Sequence, residues 1–196
     1  AIRLAGMLSD INVCYSISVP LTVGIAAWVI KLRYKIPYIF EVGDLWPDAP
    51  IQLGFIRNYF FKRIFYKLEK SIYEGAEAIV ALSEMIQSAI EKKAPRKRIF
   101  LIQNMADTEF YKPMTKSDKL EKKFGVERKF VISYIGAVGF ANGLEFIVEC
   151  ARDSQLAGLP VHFLLCGDGA LLDVHRKVVE KYQLNNFTFI SFQNRE

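Results

Sequence analysis

Cysteine and histidine are scarce in this chain of 196 residues: there are three of the first and two of the second. Cys14, Cys150 and Cys166 are odd in number and far apart. They offer neither a disulfide framework nor the paired spacing of a zinc site. Each lies in an apolar pattern and is expected to be a buried free thiol, which fits a reducing cytoplasm. His162 falls in a strand pattern and His175 in a helix pattern. Both are expected to be structural, and no nucleophile–base pair is built on them. The chain also lacks an Asp-x-Asp metal signature, a Gly-x-G-x-x-Gly dinucleotide fingerprint and a Gly-Lys-Ser/Thr phosphate loop. Its longest apolar run, Ile17–Ile30, is broken by Ser18, Pro20, Thr22 and Gly24. That is short of the roughly 20 residues a membrane span needs. A net charge of +5, with no basic stripe, does not predict a nucleic-acid partner. It suits nucleotide phosphates or an anionic membrane surface.

What is present is ample material for a core: 52% apolar residues, with fifteen Phe and nine Tyr. The pattern alternates strand and helix. Strands are expected at 12–18, 38–42, 78–82 and 99–103, with helices near 20–33, 56–73 and 84–94. Ser83 is the expected N-cap of the last of these. A polar, Lys-rich stretch at 113–128 follows Pro113 and reads as a linker. Strand 130–135, helix 143–155, strand 161–166, helix 170–183 and strand 187–192 come after it. The strands read as buried on both faces. The pattern therefore predicts a parallel, doubly wound α/β fold in two consecutive Rossmann-like units, 1–112 and 129–196.

In such sheets ligands bind beyond the carboxyl ends of the strands. Asp44 and Trp46 fall there, in the Gly43–Pro47 loop, and Asn104 follows the fourth strand. Gly136, Gly139, Asn142 and Gly143 follow the first strand of the second unit, and Gly167 and Gly169 the next. The spacing Gly136-x-x-Gly139-x-x-x-Gly143 before a helix makes an anion site. Bare amides point outward, and missing side chains let a phosphate approach. A tight turn that binds nothing is the competing reading of the same glycines. Asp44 either faces the ligand or caps its loop. Trp46 either stacks on a ligand or packs the hinge.

Four ordered segments carry a resemblance to a known family. Tyr38–Pro50 (YIFEVGDLWPDAP) resembles the FEVRDLWPES segment of bacterial family-4 retaining glycosyltransferases of the GT-B fold. The nearest branch comprises surface-polysaccharide enzymes of the N-acetyl-fucosamine-transferase type. Asn104–Pro113 resembles the family's PNGVDxxxFxP segment. Tyr134–Ala151 resembles its GxxGxxxGL loop, and Cys166–Phe192 its GxG-helix-strand segment.

The resemblance implies an acceptor-side domain at 1–112 and a donor domain starting at 129, both incomplete, with the reaction between them. It implies a nucleotide-sugar donor, UDP-linked, on Gly136, Gly139, Asn142, Gly143, Gly167 and Gly169. It implies a polyprenyl-linked glycan acceptor near Asp44, Trp46 and Asn104, with Asp44 as the catalytic candidate. No cofactor and no metal are implied, and the location is cytoplasmic, peripheral to the inner membrane. Relatives place an Arg and a Lys on the donor phosphates where this chain has Ala137 and Asn142, and a His where it has Gly43. Their E-x7-E element has no counterpart before Glu196. The chain therefore reads as an internal fragment that is inactive alone. A non-catalytic nucleotide-binding or scaffolding module is the alternative, and an epimerase is disfavoured by the glycine spacing. The segment 56–73 interleaves Arg57, Lys62, Arg63, Lys67 and Lys70 with Tyr59, Phe60, Phe61, Phe65 and Tyr66. It is either a core helix with a basic outer face or a segment resting on the inner membrane surface.

Overall fold

The structure is a computed structural model that describes residues 1–7 and 10–193. It divides into two compact units, Ala1–Tyr111 and Lys112–Glu196.

The first unit runs α1 (Ile2–Ala5), β1 (Cys14–Ser18), α2 (Val23–Tyr34), β2 (Tyr38–Val42), α3 (Asp48–Gln52), α4 (Tyr59–Gly75), β3 (Ala78–Ala81), α5 (Glu84–Lys93) and β4 (Ile99–Leu101). Its four strands are parallel in the order β1-β2-β3-β4. Tyr38, Phe40 and Val42 alternate along β2 and are buried, and they join Ile72 and Tyr73 of α4 and Ile90 of α5 in one core cluster. The Tyr38 hydroxyl donates to the Ile72 carbonyl at 2.5 Å, which ties β2 to α4. Ser83 caps α5 as expected, its hydroxyl accepting from the Ile86 amide at 3.3 Å.

The second unit runs α6 (Asp118–Phe124), β5 (Phe130–Ile135), α7 (Glu145–Leu156), β6 (Val161–Cys166), α8 (Leu172–Lys181) and β7 (Phe187–Ile190). Its three parallel strands stand in the order β5-β6-β7. Phe163, Leu165 and Phe187 meet Val148 and Ala151 of α7 and Val179 of α8 in the second core. The stretch 113–128, read as a linker with a short helix expected at Lys116–Phe124, contains that helix as α6. That helix ends at Gly125, whose φ of +63° is the left-handed cap geometry glycine favours.

Both sheets are parallel α/β sheets, as expected. Burial of the strands on both faces is corrected. On β1, Tyr15 is 52% and Ile17 58% exposed, and on β5 Phe130 reaches 68% and Ile135 79%. The strand order explains this. Sequential order with right-handed crossovers stacks the helices on one face of each sheet. The alternation along β2 fits, since its fully buried residues are Tyr38, Phe40 and Val42 while Ile39 and Glu41 are half-buried. Glu41 accepts a hydrogen bond from the Tyr15 hydroxyl on the neighbouring strand. The cysteines are free thiols but half-buried rather than buried. Among the described residues, no helix is long and apolar enough to cross a membrane.

Helix α4 behaves as two halves. Its carboxyl-terminal half buries Glu69, Ile72 and Tyr73. Its amino-terminal half starts at an Asn58 cap, whose Oδ1 accepts from the Phe60 amide at 2.8 Å, and leaves Tyr59, Phe60 and Phe61 largely exposed. The helix begins three residues later than the expected 56–73. The short α3 lies between the expected Gly43–Pro47 loop and the expected helix 56–73, where no element is expected.

Candidate functional site

In the second unit the site is built from two loops that meet backbone to backbone. The chain leaves β5 at Ile135 and enters the glycine loop. The Gly136 amide donates to the Cys166 carbonyl at 3.0 Å, continuing the β5–β6 ladder into the loop. The Val138 amide donates to the Asp168 carbonyl at 2.9 Å, and the Val138 carbonyl accepts from the Leu171 amide at 3.1 Å. Val138 itself is fully buried in the core and pins the loop to it.

Gly167 and Gly169 are where this contact demands glycine. Their φ values are +155° and +154°, a region L-residues rarely adopt. A Cβ on Gly167 would run into the Gly136 carbonyl oxygen, and one on Gly169 into the Val138 carbonyl oxygen. Asp168, between them, turns its Oδ1 onto the Gly169 amide at 2.7 Å.

The rest of the loop leads into α7. Gly143 has φ +60° with open space around its Cα. The helix begins at Glu145 with Leu144 as N-cap and no side-chain capping bond. Helix geometry leaves its first amides without intrahelical acceptors. Gly139 departs from the expectation of outward-facing amides from Gly139 onward. Its N–H is taken by Asn142 Oδ1 at 3.0 Å, while the Asn142 amide donates to the Gly139 carbonyl at 3.2 Å. Asn142 thus closes the turn, and its Nδ2 hydrogens are the donors it has left. The arrangement offers a cluster of backbone donors and a positive helix end to an anion.

In the first unit the candidates lie at the carboxyl ends of β2 and β4. Asp44 is exposed. Gly43, before it, donates its amide to the buried Ser18 hydroxyl at 3.2 Å. Trp46 is half-buried and packs against the core cluster with Leu45. The Trp46–Pro47 and Val19–Pro20 bonds are cis. Asn104 is exposed beyond β4. With β3 between them, Asp44 and Asn104 share one end of the sheet but not neighbouring strands. Asp107 caps the following turn, its Oδ1 accepting from the Phe110 amide at 3.0 Å. Glu41 stands on β2 beside Tyr15, whose phenol is pushed up to about 12 by the hydrogen bond to that carboxylate.

The histidines sit where structural residues sit. His162 is buried, with Nε2 2.8 Å from the Thr188 hydroxyl and Nδ1 3.4 Å from Lys129 Nζ. Burial first, and then the charge of Lys129, lower its pKa. Among the described residues no His, Cys, Asp and Glu cluster is arranged to hold a metal ion.

Sequence reasoning gave no role to Val138 or Asp168. A lone apolar residue inside a glycine loop was the available signal for the first. Asp168 gave none, because its role depends on the β5 loop lying beside it.

A family model described as Glycosyltransferase Family 4 matches residues 13–110. The alpha-D-kanosaminyltransferase of Streptomyces kanamyceticus is 22% identical over 133 residues, which cover 65% of this chain and 34% of that protein. Anabaena Alr3699/HepE, solved in complex with UDP and glucose, superposes with a TM-score of 0.73 at 16% identity over 98% of this chain and 51% of its own. Sucrose-phosphate synthase from Thermosynechococcus elongatus gives a TM-score of 0.74 at 14% identity, over 98% of this chain and 48% of its own. The chain therefore spans about half the length of the solved structures it matches and about a third of that curated relative.

Proposed function

The chain belongs to glycosyltransferase family 4, and we propose that its second unit binds the diphosphate of a UDP-linked sugar at the amino-terminal end of α7. The observation that carries this reading is the backbone-to-backbone contact of the two glycine loops. Gly167 and Gly169 crowd the carbonyls of Gly136 and Val138, and so hold the Gly136–Gly143 turn in one conformation ahead of an uncapped helix. Preorganised donors aimed at developing charge are the largest single source of rate enhancement in many enzymes. Removal of one such donor costs about 2.7–4 kcal/mol of barrier. In a retaining transfer the charge develops on the departing diphosphate. Amides of Gly143 and Leu144 and the α7 dipole meet it in this reading. Asn142 holds the Gly139 turn and offers Nδ2.

In the same reading the first unit takes the acceptor, with Asp44, Trp46 and Asn104 at the ligand end of its sheet. The acceptor is a lipid-linked glycan of surface-polysaccharide synthesis, and the donor sugar is an N-acetylated amino-deoxy sugar. Support for both is the Tyr38–Pro50 resemblance. The exposed aromatic and basic start of α4 adds support for a lipid-linked acceptor, as a surface suited to the inner membrane. The complete enzyme, longer than this chain, carries the activity.

The test is calorimetric titration of UDP into this chain. UDP binds, UMP binds more weakly, NAD does not bind, and Gly143→Val weakens UDP at least tenfold. Equal affinity for UDP in Gly143→Val, or a preference for NAD, overturns the assignment. A second reading, a nucleotide-binding module without catalysis, is favoured by Ala137 and Asn142 standing where relatives place cations. Turnover of a UDP-sugar by the full-length protein separates the two.

A further inference from the structure

The first half of the glycine loop turns its carbonyls onto donors. The Val138 carbonyl accepts from the Leu171 amide at 3.1 Å, and the Gly139 carbonyl from the Asn142 amide at 3.2 Å. Both of those donors are backbone groups. The Ala137 carbonyl accepts from a side chain instead, the Tyr134 hydroxyl on β5, at 2.8 Å. The Tyr134 ring is half-buried and packs against the second core. Gly136 gives the phenol its way past the backbone. A Cβ there would stand 3.2 Å from the hydroxyl oxygen and 3.4 Å from the ring carbon that bears it. The peptide between Ala137 and Val138 is thus held on both sides: its carbonyl by Tyr134, and its N–H by the Asp168 carbonyl at 2.9 Å.

We propose that Tyr134 is a positioning residue for the phosphates of the bound nucleotide, an inference that rests on the donor-site reading above. A backbone anion site works by presenting N–H groups, and a carbonyl turned into it repels the anion. Ala137 is exposed and brings no cation to offset such a carbonyl. Of the carbonyls at Ala137, Val138 and Gly139, that of Ala137 is the one whose direction depends on a side chain. The Tyr134 hydroxyl keeps it turned to the phenol and occupies its lone pair, so that the loop meets the diphosphate with its amides. The role requires no contact between the phenol and the ligand.

The test is Tyr134→Phe in the whole chain, which removes one oxygen and keeps the ring. The ¹³C resonance of the Ala137 carbonyl moves upfield as its hydrogen bond is lost. UDP affinity, measured by calorimetry, falls about three- to tenfold, the worth of one hydrogen bond. Uridine, which lacks phosphates, keeps its affinity, measured by amide shifts. Gly136→Ala crowds the phenol and weakens UDP in the native background, but adds little beside Tyr134→Phe, because both changes act on one hydrogen bond. A native chain that does not bind UDP overturns the donor-site reading and this inference with it. Native binding that Tyr134→Phe leaves unchanged overturns this inference alone. So does an equal loss for uridine, which marks a general loosening of the unit, and so do additive effects of the two substitutions.

Discussion

Gly167 lies so close to the Gly136 carbonyl oxygen that a Cβ at that position has no room. The contact joins the turn after β6 to the turn after β5 at the first residue of the glycine loop. Gly167→Ala combines the steric overlap with a φ of +155°. It destabilises the unit by about 1–3 kcal/mol, the scale of backbone strain at such positions. Gly158→Ala, at φ +65° with nothing within 4 Å, is strained without overlap and costs about 1 kcal/mol. Urea denaturation of the two variants measures the difference.

Asn142 separates loop structure from ligand contact. Asn142→Asp keeps the acceptor for the Gly139 amide and places a negative charge beside the proposed phosphate. Asn142→Ala removes the acceptor from a turn that is exposed. Both variants are expected within about 1 kcal/mol of native stability. UDP affinity falls in both, and further in Asn142→Asp. Calorimetry at two salt concentrations checks the electrostatic part, since added salt narrows the gap between the variants.

Lys93 bridges Asp48 at 2.6 Å and Glu69 at 2.7 Å, and Glu69 is only 2% exposed. Lys93→Met leaves that carboxylate buried without its cation. Loss of a partner from a buried pair costs about 3–5 kcal/mol, discounted here to about 2–4 because Lys93 is partly exposed. The pH dependence has a definite sign. Burial raises the Glu69 pKa, with the Lys93 bonds opposing it. Its raised pKa means that the folded state takes up a proton before the unfolded state as pH falls. Without Lys93 the rise is greater, so the deficit of Lys93→Met shrinks on going from pH 7 towards the ordinary glutamate range. At the alkaline end the Lys93 pKa is raised above 10.5, because the Asp48 and Glu69 bonds outweigh the opposing effect of burial. The native stability that Lys93 contributes is present below that value and is lost as pH rises through the raised one. Denaturation across pH of native and variant chains measures both trends.

The start of α4 gives a third contrast. Tyr59, Phe60 and Phe61 are 75%, 65% and 53% exposed beside Arg57, Lys62 and Arg63. Vesicles containing anionic lipid co-sediment this chain, and neutral vesicles do so less. Charge reversal at Arg57, Lys62, Arg63 and Lys67 removes about 1 kcal/mol of attraction per residue near the surface. Co-sedimentation unchanged by that reversal contradicts the membrane reading.

Much of this was legible in the sequence. Alternating apolar strands and helices located the seven strands of the described residues to within a few positions. Ser83 announced its cap, and the glycines marked the ends of β5 and β6. Pairwise contacts were not legible. The Asn142 tie to Gly139 looks in the sequence like a free amide side chain near a phosphate loop. The overlap of Gly167 with Gly136 spans thirty-one positions that only the fold brings together. The exposure of Ile17 and Ile135 follows from strand order, which an apolar run does not encode. Likewise α4 reads as one amphipathic helix, although its two halves have different surroundings.

The most direct test of the donor assignment is an amide map of this chain, ¹⁵N-labelled and titrated with UDP. The account predicts that the largest shifts fall on Gly143, Leu144 and the turn they close, with smaller shifts at Gly167–Gly169 and none along α8. Shifts confined to other parts of the chain, with the 136–144 amides unmoved at saturation, contradict it.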